Sequence, residues 1–195
     1  MRKLSVVLLA FVCALPILSA QQCVQGNCEN GQGTMVYASG AKYIGTFRDG
    51  KIEGQGILYF SNGDKYIGDW QNQYRQGKGR LVFKSGGEYF GDFVENQLQG
   101  VGTMEYKNGN RYSGEWLNGK PDGRGTFVLA NGDQYEGELQ MGAFHGYGKM
   151  KYKDGTIFEG NWQAGKRHGK GVLVTALGDV VEDEWIEGKL ASEVF

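Results

Sequence analysis

Proline and histidine each occur only twice in the 195 residues, cysteine three times, and neither sign of charge dominates. Each shortage closes off a class of function. Once Cys13 is set aside with the apolar leader that holds it, the two remaining cysteines alone cannot fill a tetrahedral zinc shell. With 21 basic and 22 acidic residues and a net charge of −1, the chain lacks the basic field that grips nucleic-acid phosphates or anionic lipid, so no nucleic-acid partner is expected. Beyond residues 4–18 no apolar run could cross a membrane. No Asn-x-Ser/Thr sequon occurs.

What the chain has in excess is glycine, 34 residues, more than twice the roughly 7% usual in globular domains. Disorder does not fit a chain that is 40% hydrophobic and 13% aromatic. Collagen does not fit either, because glycine does not recur at every third residue. A repeat remains.

Residues 1–20 form a segment of their own. Met1-Arg2-Lys3 is basic, Leu4 to Leu18 is apolar apart from Ser5, and Ser19-Ala20 is small, which is the layout of a secretory signal cut after Ala20. This predicts a secreted or periplasmic protein. The alternatives are an uncleaved membrane anchor, for which the run is short, and a lipoprotein acylated at Cys23, whose preceding Ala20-Gln21-Gln22 matches a lipobox poorly. Cleavage leaves Cys23 and Cys28, a candidate disulfide in an oxidising compartment or else two free thiols.

From Tyr43 the chain falls into rows of 23 residues, starting at Tyr43, Tyr66, Tyr89, Tyr112, Tyr135 and Phe158, with a cut-short row from Val181. The third column is Gly45, Gly68, Gly91, Gly114, Gly137 and Gly160; the fifth is Phe47, Trp70, Phe93, Trp116, Leu139, Trp162 and Trp185. Glycine also fills columns 12, 14 and 21 in all six rows, and Gly31, Gly33 and Gly40 extend those columns back into a partial row. Aromatic–Gly–aromatic alternation at columns 1, 3 and 5 has period two, hence a strand. Column 14 glycine with apolar columns 16 and 18 makes a second strand, and a helix is excluded because each interior glycine costs about 1 kcal/mol relative to alanine.

The turns are read from the same columns. Asn62-Gly63, Asn108-Gly109, Asn131-Gly132 and Asp154-Gly155 predict tight type I′ hairpin turns. Columns 6 to 13 predict a longer turn. The fold class is therefore all-β: one single-layer antiparallel meander, two strands per row. Its organisation is a signal at 1–20, a partial repeat with the cysteine pair at 21–42, six rows over 43–180 and a truncated cap at 181–195. The in-strand glycines are expected to leave slots in which rings lie flat, with rings one row apart stacking along the sheet.

These columns resemble the MORN repeat, Tyr-x-Gly-x-Trp-x-x-Gly-Lys-x-x-Gly-x-Gly, most closely in Tyr112-Ser113-Gly114-Glu115-Trp116-Leu117-Asn118-Gly119-Lys120 and in Gly165-Lys166-Arg167-His168-Gly169-Lys170-Gly171. The resemblance covers about residues 31–190. It implies an elongated, twisted sheet of successive hairpins, a role in protein–protein contact, dimerisation or membrane association, and no catalytic residues of its own. The departures are Gln73 and Asn96 for glycine at column 8, Leu139 at column 5, and Val181 with Asp183 in the last row.

No catalytic, cofactor or metal residues are expected. His145 and His168 share column 11 but are too few for zinc. The acids of column 4 (Asp69, Asp92, Glu115, Glu138) are read as solvated, and Gly165–Gly171 lacks the spacing of a phosphate loop. The candidate partner-binding or stacking residues are Tyr43, Phe47, Tyr66, Trp70, Tyr89, Phe93, Tyr112, Trp116, Tyr135, Phe158 and Trp162. Three functions compete: a protein-interaction or self-assembly module using sheet edges and a partly bare aromatic face; a carbohydrate or cell-wall binder stacking sugars on exposed rings; and peripheral lipid association through the same face.

Overall fold

A computed structural model describes residues 21–194. The signal, anchor and lipobox readings of residues 1–20, and Cys13, lie outside the described residues. Sixteen strands form one sheet, each hydrogen-bonded to its neighbours in sequence order. Each row contributes two antiparallel strands. In the first row these are β3 (Lys42–Arg48) and β4 (Lys51–Tyr59), and the pattern runs on to β14 (Lys166–Val174), β15 (Val180–Ile186) and β16 (Lys189–Leu190). No helix among the described residues is long and apolar enough to cross a membrane.

The two turn types are the reverse of what the glycine pattern suggested. Columns 6–13 hold a two-residue turn, not a long one: Asp49 and Gly50 take φ of 48° and 70°, and Asn118 and Gly119 take 50° and 78°. Positive φ at both central residues is the type I′ geometry whose twist suits a hairpin. The remaining residues of this stretch are already strand, and a bulge absorbs them. Gly45 pairs with Gly56 and Phe47 with Ile52, so Thr46 alone faces Glu53, Gly54 and Gln55. The same offset recurs at Gly68/Trp70, Gly91/Phe93 and Gly160/Trp162.

The Asn-Gly turns are three-residue loops. Gly63 has φ of 92° while Asn62 keeps a negative φ. The Gly63 N–H donates to the Phe60 carbonyl at 3.0 Å and the Phe60 N–H to that of Asp64 at 2.9 Å, which is a type I turn closed by a glycine bulge. The asparagine side chain explains the preference. Asn62 Oδ1 accepts the Asp64 N–H at 2.9 Å, an Asx bond that holds residue 62 out of the left-handed region.

The core is one line of rings on one face. Tyr43, Tyr66, Tyr89, Tyr112, Tyr135 and Phe158 are fully buried, each at 0% exposure. Each lies over the glycines at columns 3 and 14 of its own row: a Cβ placed on Gly114 would sit 2.5 Å from Tyr112 Oη, from Gly125 Cα and from the Arg124 carbonyl oxygen. Burying such a ring removes some 150–250 Å² from water, roughly 4–6 kcal/mol of gross transfer energy. The two glycines cost about 1–2 kcal/mol relative to alanine, so the ring wins.

Rings of adjacent rows do not stack face to face as the slot picture suggested; they meet mostly edge-to-face. Tyr43 meets Phe47 of its own row at 5.2 Å and 89°, and Trp70 of the next at 5.6 Å and 86°. Tyr66 does the same with Trp70 and Phe93, and Tyr89 with Phe93 and Trp116. The positive edge of one ring on the negative face of the next explains the geometry.

At the start of the sheet, β1 (Gln22–Gly26) and β2 (Gly31–Val36) have no such ring. A disulfide joins Cys23 to Cys28 across a Cα–Cα distance of 5.9 Å. A Cβ on Gly33 would lie 2.8 Å from Cys28 Sγ. The sulfur thus occupies the place over column 14 that a ring takes in the complete rows.

Replacing Gly114 with valine should drive Cβ into backbone on one side and Tyr112 on the other, costing about 3 kcal/mol or more. Chemical denaturation of the variant and the parent measures it; an unchanged midpoint would refute the ring-over-glycine account.

Candidate functional site: the outer face of the sheet

The inner face is filled. Phe47, Trp70, Phe93, Trp116, Leu139, Trp162 and Trp185 are at most 5% exposed. All eleven aromatics singled out in the sequence therefore pack within the sheet, and none presents a free ring. These eleven rings thus form no bare platform of the kind that the interaction, sugar and lipid readings all called on. Trp116 and Trp162 donate their indole N–H to the carbonyls of Gly102 and Gly148 at 3.0 and 3.1 Å.

A further column closes this face and was missed from the sequence. Column 10 (Ile52, Arg75, Leu98, Pro121, Phe144, Arg167) lies beside the tyrosine rings. Phe144 stacks on Tyr135 at 3.9 Å and 16°, filling the space that Leu139 leaves unoccupied by a ring. The Arg75 guanidinium lies over Phe60, Tyr66 and Phe93 within 5.8 Å and donates to the Asn96 carbonyl at 2.8 Å. Burial lowers its pKa from the ordinary arginine value. Residue type and size vary too much along this column for periodicity to reveal it; only the 23-residue spacing marks it.

The tyrosine hydroxyls serve the bulges. Tyr66 and Tyr89 each donate at 3.0 Å to the column 4 carbonyl of their own row, Asp69 and Asp92, and Tyr112 donates to Glu115 at 2.8 Å. The column 4 acids are not merely solvated. Asp69 and Asp92 carboxylates accept the backbone N–H of Lys78 and Val101 at 3.0 and 2.9 Å, groups that the bulge takes out of the ladder. A Lys78 ion pair at 2.6 Å and the Val101 N–H hold the Asp92 carboxyl below its ordinary value despite partial burial.

Column 11 lies in strand, not in a turn. Its acceptors reach across rows to the type I′ turns: Glu53 accepts the Asn72 N–H at 2.9 Å, Gln76 that of Glu95 at 3.0 Å and Asp122 that of Met141 at 2.9 Å. His145 and His168 occupy this same column half-buried within β12 (Ala143–Lys151) and β14.

Accessible side chains with chemistry are thus those of columns 2, 4, 13, 15 and 17 on the outer face. Cross-row neighbours pair by charge: Arg80 with Glu88 at 2.5 Å and Lys149 with Glu159 at 3.3 Å. Between them stand exposed apolar groups: Phe90 at 60%, Val101 at 58% and Tyr147 at 56%. Two grooves indent this face. One of about 610 Å³ runs behind the glycine band, past Ser113, Arg124, Thr126, Glu136 and Lys149. It shares Tyr147 and Glu159 with a second of about 440 Å³ that ends at Glu182 and Glu184. Both are open channels without an enclosed end.

An open sheet whose rings are spent on its own cohesion, and whose free surface is a long shallow channel, defines a tandem-repeat scaffold. The MORN repeat family model matches residues 29–42, 43–65, 66–88, 89–111, 112–134, 135–157 and 158–179. The chain belongs to the MORN repeat family. Comparison with curated proteins finds no match. Among solved structures, it is similar to the TCP domain of SAS-4 (dCPAP) of Drosophila melanogaster, a complex with a proline-rich motif of Ana2. The identity is 16%, the TM-score 0.52, and the match covers 95% of this chain and 99% of that one. That likeness is one of fold. The CPAP G-box domain matches at 14% identity over 80% and 87% of the two chains with a TM-score of 0.43. The TCP10 domain of Danio rerio CPAP matches at 14% over 87% and 91% with a TM-score of 0.28.

Burial raises the pKa of all five core tyrosines, that of Tyr112 to about 12 from the ordinary 10.0. A raised folded-state pKa gives stability that is complete below pH 10 and lost as pH climbs through the folded value. Alkaline titration should show phenolate absorbance and loss of near-ultraviolet circular dichroism rising together above pH 10. Ionisation of all tyrosines at pH 10 with the fold intact would contradict their burial.

Proposed function

We propose that the protein is a non-catalytic protein-interaction module that holds a protein partner, foreign or a second copy of itself, against the outer face of the sheet. One observation carries the reading: the outer face exposes Phe90, Val101 and Tyr147 among paired charges, while the rings of columns 1 and 5 are buried. Aromatic anchors ringed by polar groups are the usual composition of binding hot spots. Membership of the MORN family supports it. The column 4 and column 11 carboxylates named above are engaged in capping bulges and turns, which favours a structural over a catalytic duty for them.

The compartment we propose is secreted or periplasmic. The signal-like layout of residues 1–20 and the Cys23–Cys28 bridge support it, since such bridges persist in oxidising surroundings. The exported protein is expected to begin at Gln21 when its terminus is sequenced; an intact Met1 recovered with membranes would favour the anchor instead.

The double substitution Phe90→Glu/Tyr147→Glu tests the surface. Two lost anchors should weaken cross-linked or co-purifying partners, or a concentration-dependent dimer, by roughly 30-fold or more, with thermal stability unchanged. Undiminished association would move the binding surface elsewhere.

A further inference from the structure

The backbone leaves the ladder before its last row is complete. β15 pairs with β14 along its length, from Val174↔Val180 to Gly169↔Trp185. On its other side β16 pairs with it only at Trp185 and Ile186. A 3-10 turn at Ala191–Glu193 then ends the strand pairing and stays close to β15. In a complete row the second strand, as in β4, covers the first almost from end to end. Among the described residues, therefore, the outward side of Val180–Glu184 has no strand beside it. The Glu184 N–H is taken up by the neighbouring Asp183 carboxylate at 2.7 Å, a local substitute for a ladder partner. A row of unpaired backbone groups is a template for an added strand.

The side chains select which strand. Residues 179–187 hold Asp179, Glu182, Asp183, Glu184 and Glu187 and no base, within a chain whose net charge is only −1. Glu187 is held by Lys166 at 2.5 Å and Asp179 by Thr175. Lys170 stands opposite Glu184 across the β14–β15 ladder, and among the described residues no ion pair at 4.0 Å or less reaches Glu182, Asp183 or Glu184. Glu182 and Glu184 share the outer face, two residues apart, where a lysine or arginine on an incoming strand would sit opposite each. The same edge of a second copy would set carboxylate against carboxylate, which disfavours self-pairing. The Glu182–Glu184 end of the outer groove opens at this edge.

We infer that the exposed edge of β15 takes a basic extended segment of a partner protein by strand addition. This surface is separate from the outer-face anchors Phe90 and Tyr147. Backbone hydrogen bonds supply the fit, and Glu182 and Glu184 supply the preference for lysine or arginine at alternate positions.

The test uses the full oxidised chain and three end-blocked heptapeptides: alternating Lys–Thr, the same peptide N-methylated at alternate amides, and alternating Glu–Thr. Fluorescence anisotropy reads binding, and amide hydrogen exchange locates it. Lys–Thr is expected to bind saturably and to slow exchange within Val180–Glu184, with the other two peptides at least about ten-fold weaker. The double substitution Glu182→Lys/Glu184→Lys should reverse the preference to Glu–Thr. Equal binding of the N-methylated peptide, protection confined to another segment, or no binding at millimolar Lys–Thr would each overturn the inference. A Phe90→Glu/Tyr147→Glu chain should still bind Lys–Thr, which separates this surface from the outer-face one.

Discussion

A tyrosine ring lying on the bare Cα atoms of two cross-strand glycines is the contact on which the sheet depends. It fixes which columns must be glycine, because Tyr112 touches both Gly114 and Gly125 where any Cβ would stand. It also fixes the bulge. The ring spans its own strand and reaches the carbonyl of column 4, which the bulge has freed from the ladder, so one hydroxyl satisfies the group that the irregularity exposes. Phe158 makes the same overlay on Gly160 and Gly171 without a hydroxyl.

From that contact the rest propagates row to row. The edge-to-face partner of Tyr43, Tyr66, Tyr89 and Tyr135 in the next row is a column 5 ring, so cohesion passes through Trp70, Phe93, Trp116 and Trp162 without a second layer of structure. Where Leu139 interrupts the line, Phe144 steps in from column 10. Side-chain acceptors of column 11 and column 22 tie successive turns on both margins, as Asp64 does by accepting the Lys84 N–H at 2.9 Å. A single layer can bury its column 1 and column 5 rings only because covering groups come from the same and adjoining rows.

The repeat length, both strands of each row and the purpose of the glycines were legible in the sequence, since each is a strict column. The turn types were not. Asn62-Gly63 and Asn118-Gly119 carry the same letters, and what separates them is the Asx bond from Asn62 to Asp64 and the bulge that follows Gly119. The duty of Asp69 and Asp92 was hidden for the same reason: a carboxylate at an outward strand position looks solvated until the bulge puts an orphaned N–H within its reach. The columns of Trp70, Trp116 and Trp162 are equally compatible with a partner-binding surface and with rings stacked on one another, and periodicity does not choose; their neighbours cover them. The exposed residues Phe90, Val101 and Tyr147 belong to columns without a consensus, and periodicity is silent about those.

Because the order of strands in the sheet is the order of strands in the chain, every stabilising contact is made between near neighbours in sequence. Length is then an adjustable dimension. Gaining or losing a block of one row leaves every remaining kind of contact intact, so genetic duplication or slippage can lengthen or shorten the scaffold without redesigning its interior. The outer channel would be resized in the same increments, and the spacing between any two of its anchor points is a quantity that evolution can set by counting rows.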